Sequence, residues 1–164
     1  MAGISFDEVL STVMTATLET FKSYMNIDLL AGEVDKRIDT LDSDVTGIVG
    51  IGGDRVGYII IATNKGTARL VAQQMLMADE PDDNDITDAI GELANTIAGA
   101  VKTNHAECGN VALGLPLIVA GQLRAVSEPP SSSDDSSITV QCKGIAIPFQ
   151  TADGTVSLKV MVYM

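Results

Sequence analysis

The chain has 164 residues, 46% of them hydrophobic and none of them tryptophan, which suits one domain (1–164) whose core is built from aliphatic side chains. Ten basic residues against 22 acidic ones leave a net charge of -12, so nucleic acid and anionic membranes are disfavoured partners. No apolar run approaches the ~18 residues that a membrane helix needs, and the acidic start MAGISFDEVL lacks a basic lead into an apolar stretch, so a cytoplasmic address is expected.

Residues 5–24 read as a helix. Ser5 and Glu8 form a capping-box pattern, and Phe6, Val9, Leu10, Val13, Met14, Thr17 and Phe21 recur at helical spacing. Residues 27–40 are mixed, with an edge strand expected near 33–39. TGIVGIGG and RVGYIIIAT then predict a β-hairpin turning at Gly53-Asp54. Gly50, Gly52 and Gly53 belong to that turn and not to a phosphate loop, because no helix follows and the Lys-Ser/Thr of a P-loop is missing. Residues 65–78 read as a second helix through Leu70, Val71, Gln74 and Met75.

The run DEPDDND at 79–85 breaks that helix and caps the next, expected over 84–104. On a wheel with Asp88 at zero, Asn95 falls at about -20°, Gly99 at about +20° and Glu92 at about +40°. Ile86, Ile90, Leu93, Ile97 and Val101 lie between about 140° and 220°, so they face the core and the polar trio faces away. A solvated helix face would explain the trio. However, Asn is a poor mid-helix residue, and Gly91 and Gly99 weaken the helix while leaving backbone open to a close-docking partner.

After this helix, GNVALGLPLIVAG is extended and interrupted by Pro116, so an edge, bulge or bend is expected there. Residues 127–137 form a polar loop. ITVQCKGIAIPFQ and TVSLKVMVYM make a second hairpin turning at Ala152-Asp153-Gly154. Two halves of similar layout emerge, each with a long helix, a strand segment and a hairpin. The fold class is α+β (mixed α/β), with helices packed on a mostly antiparallel sheet. Cys108 and Cys142 read as reduced thiols. His105 with Glu107 and Cys108 falls short of a metal ligand set.

Asp88-x-x-x-Glu92-x-x-Asn95 resembles the signature of the CheC/CheX/FliY phosphatases of bacterial chemotaxis, and GLPLIVAG resembles the family's Pro-containing strand. The order of helices and hairpins fits over essentially the whole chain. Pro116 lies somewhat closer to Asn95 than the family spacing. The matching positions on the first helix, Thr15, Glu19 and Lys22, carry Lys in place of Asn, so a second active site is not expected. A single motif on the later helix is most like CheX.

The resemblance implies a hydrolase that removes the phosphoryl group from the phospho-aspartate of a CheY-like response-regulator receiver domain. Asn95 would orient the attacking water, and Glu92 would pair with the receiver's lysine. Asp88, Gly91 and Gly99 would contact the partner. The chain would bind no cofactor of its own, Mg²⁺ being supplied by the receiver. A homodimer through continued sheets is compatible with the resemblance. The alternatives are a non-catalytic module that docks a receiver or a flagellar-switch component, and a structural partner acting through a sheet edge.

Overall fold

A computed structural model describes residues 6–35, 40–54, 56–104, 111–126 and 144–163. The expectations for Ser5, strand residues 36–39, His105, Glu107, Cys108, the 127–137 loop and Cys142 lie outside the described residues.

Three helices cover one face of an antiparallel sheet. Helix α1 (Phe6–Met25) buries Val9, Val13, Ala16, Thr17, Thr20 and Phe21, and Asn26 follows it with a left-handed φ of 53°. Helix α2 (Lys65–Leu76) is capped by Asn64, whose side chain accepts from the Thr67 amide at 2.7 Å. It stops two residues before its expected end because Met77 turns left-handed at φ 52°. Helix α3 (Asp83–Asn104) begins with a reciprocal cap: the Asp85 amide donates to Asp82 at 2.8 Å, and the Asp82 amide donates to Asp85 at 3.0 Å.

The strands are β1 (Leu30–Ala31), β2 (Thr40–Gly53), β3 (Gly57–Thr63), β4 (Val111–Leu113), β5 (Leu117–Val126), β6 (Gly144–Gln150) and β7 (Ser157–Tyr163). Both expected hairpins form, as β2–β3 and β6–β7, and they join through β3–β7 at the centre of the sheet. Each half then places its first strand on the other half's hairpin. β1 pairs with β6, while β4 and β5 both pair with β2. The two halves are therefore interlocked, and neither has a sheet of its own. The edge strand expected near 33–39 lies slightly earlier, at 30–31, with one further bridge from Asp35 to Ala146.

The core lies between sheet and helices. Val49, Ile59, Ile61, Ile147, Phe149 and Val160 meet Val13, Phe21, Ile90, Leu93 and Ile97, all buried. Helix α3 sits low on β2 because of Gly47. A Cβ there would lie 3.1 Å from the Ala94 methyl and 3.2 Å from Ile90 Cγ2, tighter than ordinary van der Waals contact, so a larger residue would require these neighbours on α3 to give way.

Candidate functional site

Helix α3 is the central helix of its layer, with α1 and α2 packed against it and the sheet beneath. Its buried residues include Ala89, Leu93, Ile97, Ile90, Val101, Ala94, Ala98 and Gly91. On the wheel these span from about 100° to about 300°. The expected core stripe is thus present but much wider than the sequence pattern indicates. What stays exposed is a narrow arc carrying Asp88, Glu92 and Asn95, with Gly99 half-buried in line with them.

The width of the buried arc has an identifiable cause on one side. The Pro116 expected to interrupt a strand does so: β4 ends at Leu113, β5 begins at Leu117, and the Gly114 amide donates to Gly50 O at 2.9 Å across the break. Pro116 and Ile118 fold over the flank of α3. A Cβ on Gly91 would lie 3.5 Å from Ile118 Cδ1 and 3.9 Å from Pro116 Cγ. This corrects the expectation that Gly91 leaves backbone open to a partner. Gly91 is buried against this chain's own β5, a neighbour in space that no helical wheel contains. At Gly99, by contrast, a Cβ would meet nothing within 4 Å.

Further along β5, Gly121 (φ 130°) sits at a bulge where the pairing shifts between Ser43 and Val45 of β2. Ala120 and Gly121 line a cleft of about 260 Å³ with Asp44, Lys65, Ile86 and Thr87, just beyond the start of the exposed arc.

Among the described residues, no side chain bonds to those of Asp88, Glu92 or Asn95. The hydroxyls nearby are turned inward: Thr96 donates to the Glu92 carbonyl at 2.8 Å, and Thr103 to the Gly99 carbonyl at 3.0 Å. The arc therefore offers two carboxylates and one carboxamide about a turn apart, all free to bond outward. Nothing nearby could make Asn95 an acid or a base; it can only orient another group. Among the described residues, no group of three or more His, Cys, Asp or Glu side chains is arranged to hold a metal ion. Nor, among them, is any helix long and apolar enough to cross a membrane.

The counterpart on α1 is also exposed at Thr15, Glu19 and Lys22. There Lys22 is engaged, its Nζ 2.9 Å from Asp28 Oδ1. The sequence pattern did not reveal the β4–β5 segment as one rim of the α3 arc. Pro116 was the one available signal.

Similarity to known proteins agrees with this geometry. The family described as chemotaxis phosphatase CheX matches residues 45–150, a span that contains α2, α3, most of β2 and strands β3 to β6, and leaves out α1, β1 and β7. No curated protein matches the chain. Among solved structures, a chemotaxis protein CheX from Desulfovibrio desulfuricans is 25% identical with a TM-score of 0.78, covering 96% of this chain and 99% of that one. A CheC-like superfamily protein from Shewanella sp. PV-4 is 21% identical with a TM-score of 0.76, covering 98% of each chain. A CheX–CheY–BeF3–Mg²⁺ complex from Borrelia burgdorferi matches at 20% identity and a TM-score of 0.71, covering 94% of this chain and 96% of that one. With its Glu and Asn presented on the outward arc of α3, and with the family match spanning more than half of its length, this chain belongs to the CheX family of chemotaxis phosphatases.

Proposed function

We propose that this chain is a protein phosphatase that hydrolyses the phospho-aspartate of a CheY-like receiver domain. The observation that carries the proposal is the free, exposed pair Glu92 and Asn95, one turn apart on the exposed arc of α3. The Borrelia burgdorferi relative was solved with CheY, BeF3 and Mg²⁺, which supports a CheY-like receiver as the partner of this chain.

The step is attack of water on phosphorus, cleavage of the bond between phosphorus and the acyl oxygen, and departure of the aspartate carboxylate, with the water's proton passing to phosphate or solvent. Mg²⁺ held by the receiver would neutralise charge on the phosphoryl oxygens. The Asn95 carboxamide would accept from the water through its oxygen and donate through its nitrogen, holding the water in line without forming a bond to phosphorus. Glu92 would pair with the lysine of the receiver site and fix the register in which Asn95 enters. Asp88, one turn toward the start of the helix, would contact the partner, and Gly99 would let the receiver backbone come close.

Phosphate release from a panel of phosphorylated receivers tests this reading. The chain should accelerate release from at least one of them, and Glu92→Ala should lower kcat/KM roughly 10- to 100-fold. Acceleration of none, or a Glu92→Ala variant indistinguishable from wild type, would overturn it.

A further inference from the structure

Helix α3 carries a single cation, Lys102, in a chain with 22 acidic residues. Lys102 is exposed, and no carboxylate among the described residues pairs with it. On the wheel it falls at about -40°, beside Asn95 at about -20°, so it stands on the same outward arc two turns further along. A cation in the last turn suits the helix dipole wherever it points. The dipole does not ask for it to be in line with Asn95.

Seven residues place the Lys102 backbone about 10 Å beyond that of Asn95. Helical side chains lean toward the helix start, so the long lysine stem carries its ammonium back toward Asn95. Within about 40° of the arc's centre, only Gly99 stands between them. A Cβ at Gly99 would meet nothing within 4 Å, so a partner's surface has room to lie against the helix there. The charges of the arc are therefore sorted by sign: Asp88 and Glu92 come before Asn95, and Lys102 comes after it.

We propose that Lys102 is a docking residue that pairs with an acidic side chain of the receiver, at the rim of its phosphorylation site and across the phosphoryl group from the lysine that Glu92 addresses; this rests on the phosphatase reading above. A partner seated this way meets opposite charge at both ends of the arc. A partner turned end for end would set like charges against each other, so the sorted arc fixes the direction of docking. The pair also offsets part of the repulsion that a chain of charge -12 exerts on an anionic phosphorylation site.

Lys159 provides the control. It is exposed on β7 between Leu158 and Val160, which are buried in the core beneath the helices, so by strand alternation it faces the other side of the sheet. Steady-state dephosphorylation of a receiver that the wild-type chain accepts should show KM raised about fivefold in Lys102→Gln, with kcat within about twofold. Lys102→Glu should raise KM further, and Lys102→Arg should restore it to within about twofold of wild type. The Lys102→Gln defect should shrink at about 0.5 M salt. Lys159→Gln makes the same change in net charge and should leave KM unchanged. Wild-type KM in both Lys102→Gln and Lys102→Glu, a fall in kcat alone, or an equal rise of KM in Lys159→Gln would overturn the docking role while leaving the phosphatase reading intact. Absence of phosphatase activity in the wild-type chain would overturn both.

Discussion

Helices α1 and α3 pack against each other over the same core, and each leaves three side chains at matching spacing open to water: Thr15, Glu19 and Lys22 on one, Asp88, Glu92 and Asn95 on the other. Their third positions differ in kind. Lys22 stands in the last turn of α1, where a cation suits the helix dipole, and it is paired with Asp28. Local structure fully accounts for it. Asn95 stands mid-helix, where it costs propensity, caps nothing and has no partner among the described residues. Exposure is shared by both faces and so decides nothing. Under the function proposed above, the residue that local stability does not explain is the one that would work on the partner.

The most disruptive way to test this contrast is to copy α1 onto α3. Asn95→Lys should reduce receiver dephosphorylation to the uncatalysed rate, with an unchanged unfolding midpoint because the side chain is exposed. On the buried side of the same helix the outcome should invert. Leu93→Ala should cost about 2–5 kcal/mol in a denaturant titration, since Leu93 is fully buried between α3 and its neighbours.

Copying in the other direction should do little. Lys22→Ala removes an ion pair whose side chains are 55% and 83% exposed, so it should change stability by less than about 1 kcal/mol and leave dephosphorylation at the wild-type rate. A large loss of activity there would mean that α1 contributes to the site after all.

The smallest expected effect lies far from either helix, in the β6–β7 turn. The Thr151 hydroxyl, then the Thr155 amide and hydroxyl, donate to Asp153 and lower its carboxyl from 3.8 to about 2. A carboxyl lowered by folding adds stability above its unfolded value, and that contribution is lost as pH falls from 3.8 toward about 2. Comparing acid unfolding of wild type and Asp153→Asn should show a slight difference that closes within that window.

Much of this was legible in the sequence because it is local. Helical periodicity located the core stripe of α3 through Ile90, Leu93 and Ile97, and turn residues located both hairpins at Gly53-Asp54 and Asp153-Gly154. What escaped depends on neighbours distant in the chain. Gly91 sits near the polar stripe on the wheel, yet Ile118 and Pro116 bury it. The exchange of first strands between halves is likewise invisible to periodicity, since β1 and β5 find their partners on the opposite hairpin. The roles of Glu92 and Asn95 came from resemblance to a family signature; their joint exposure came from spacing.

The central claim is that the Asn95 carboxamide orients the attacking water and does little else. The direct measurement pairs two readings on Asn95→Ala: single-turnover dephosphorylation of a phosphorylated receiver, and affinity for the same receiver carrying BeF3 and Mg²⁺. Dephosphorylation should fall to the receiver's own rate while Kd stays within about threefold of wild type. Retained dephosphorylation, or a loss explained entirely by weakened binding, would contradict the account.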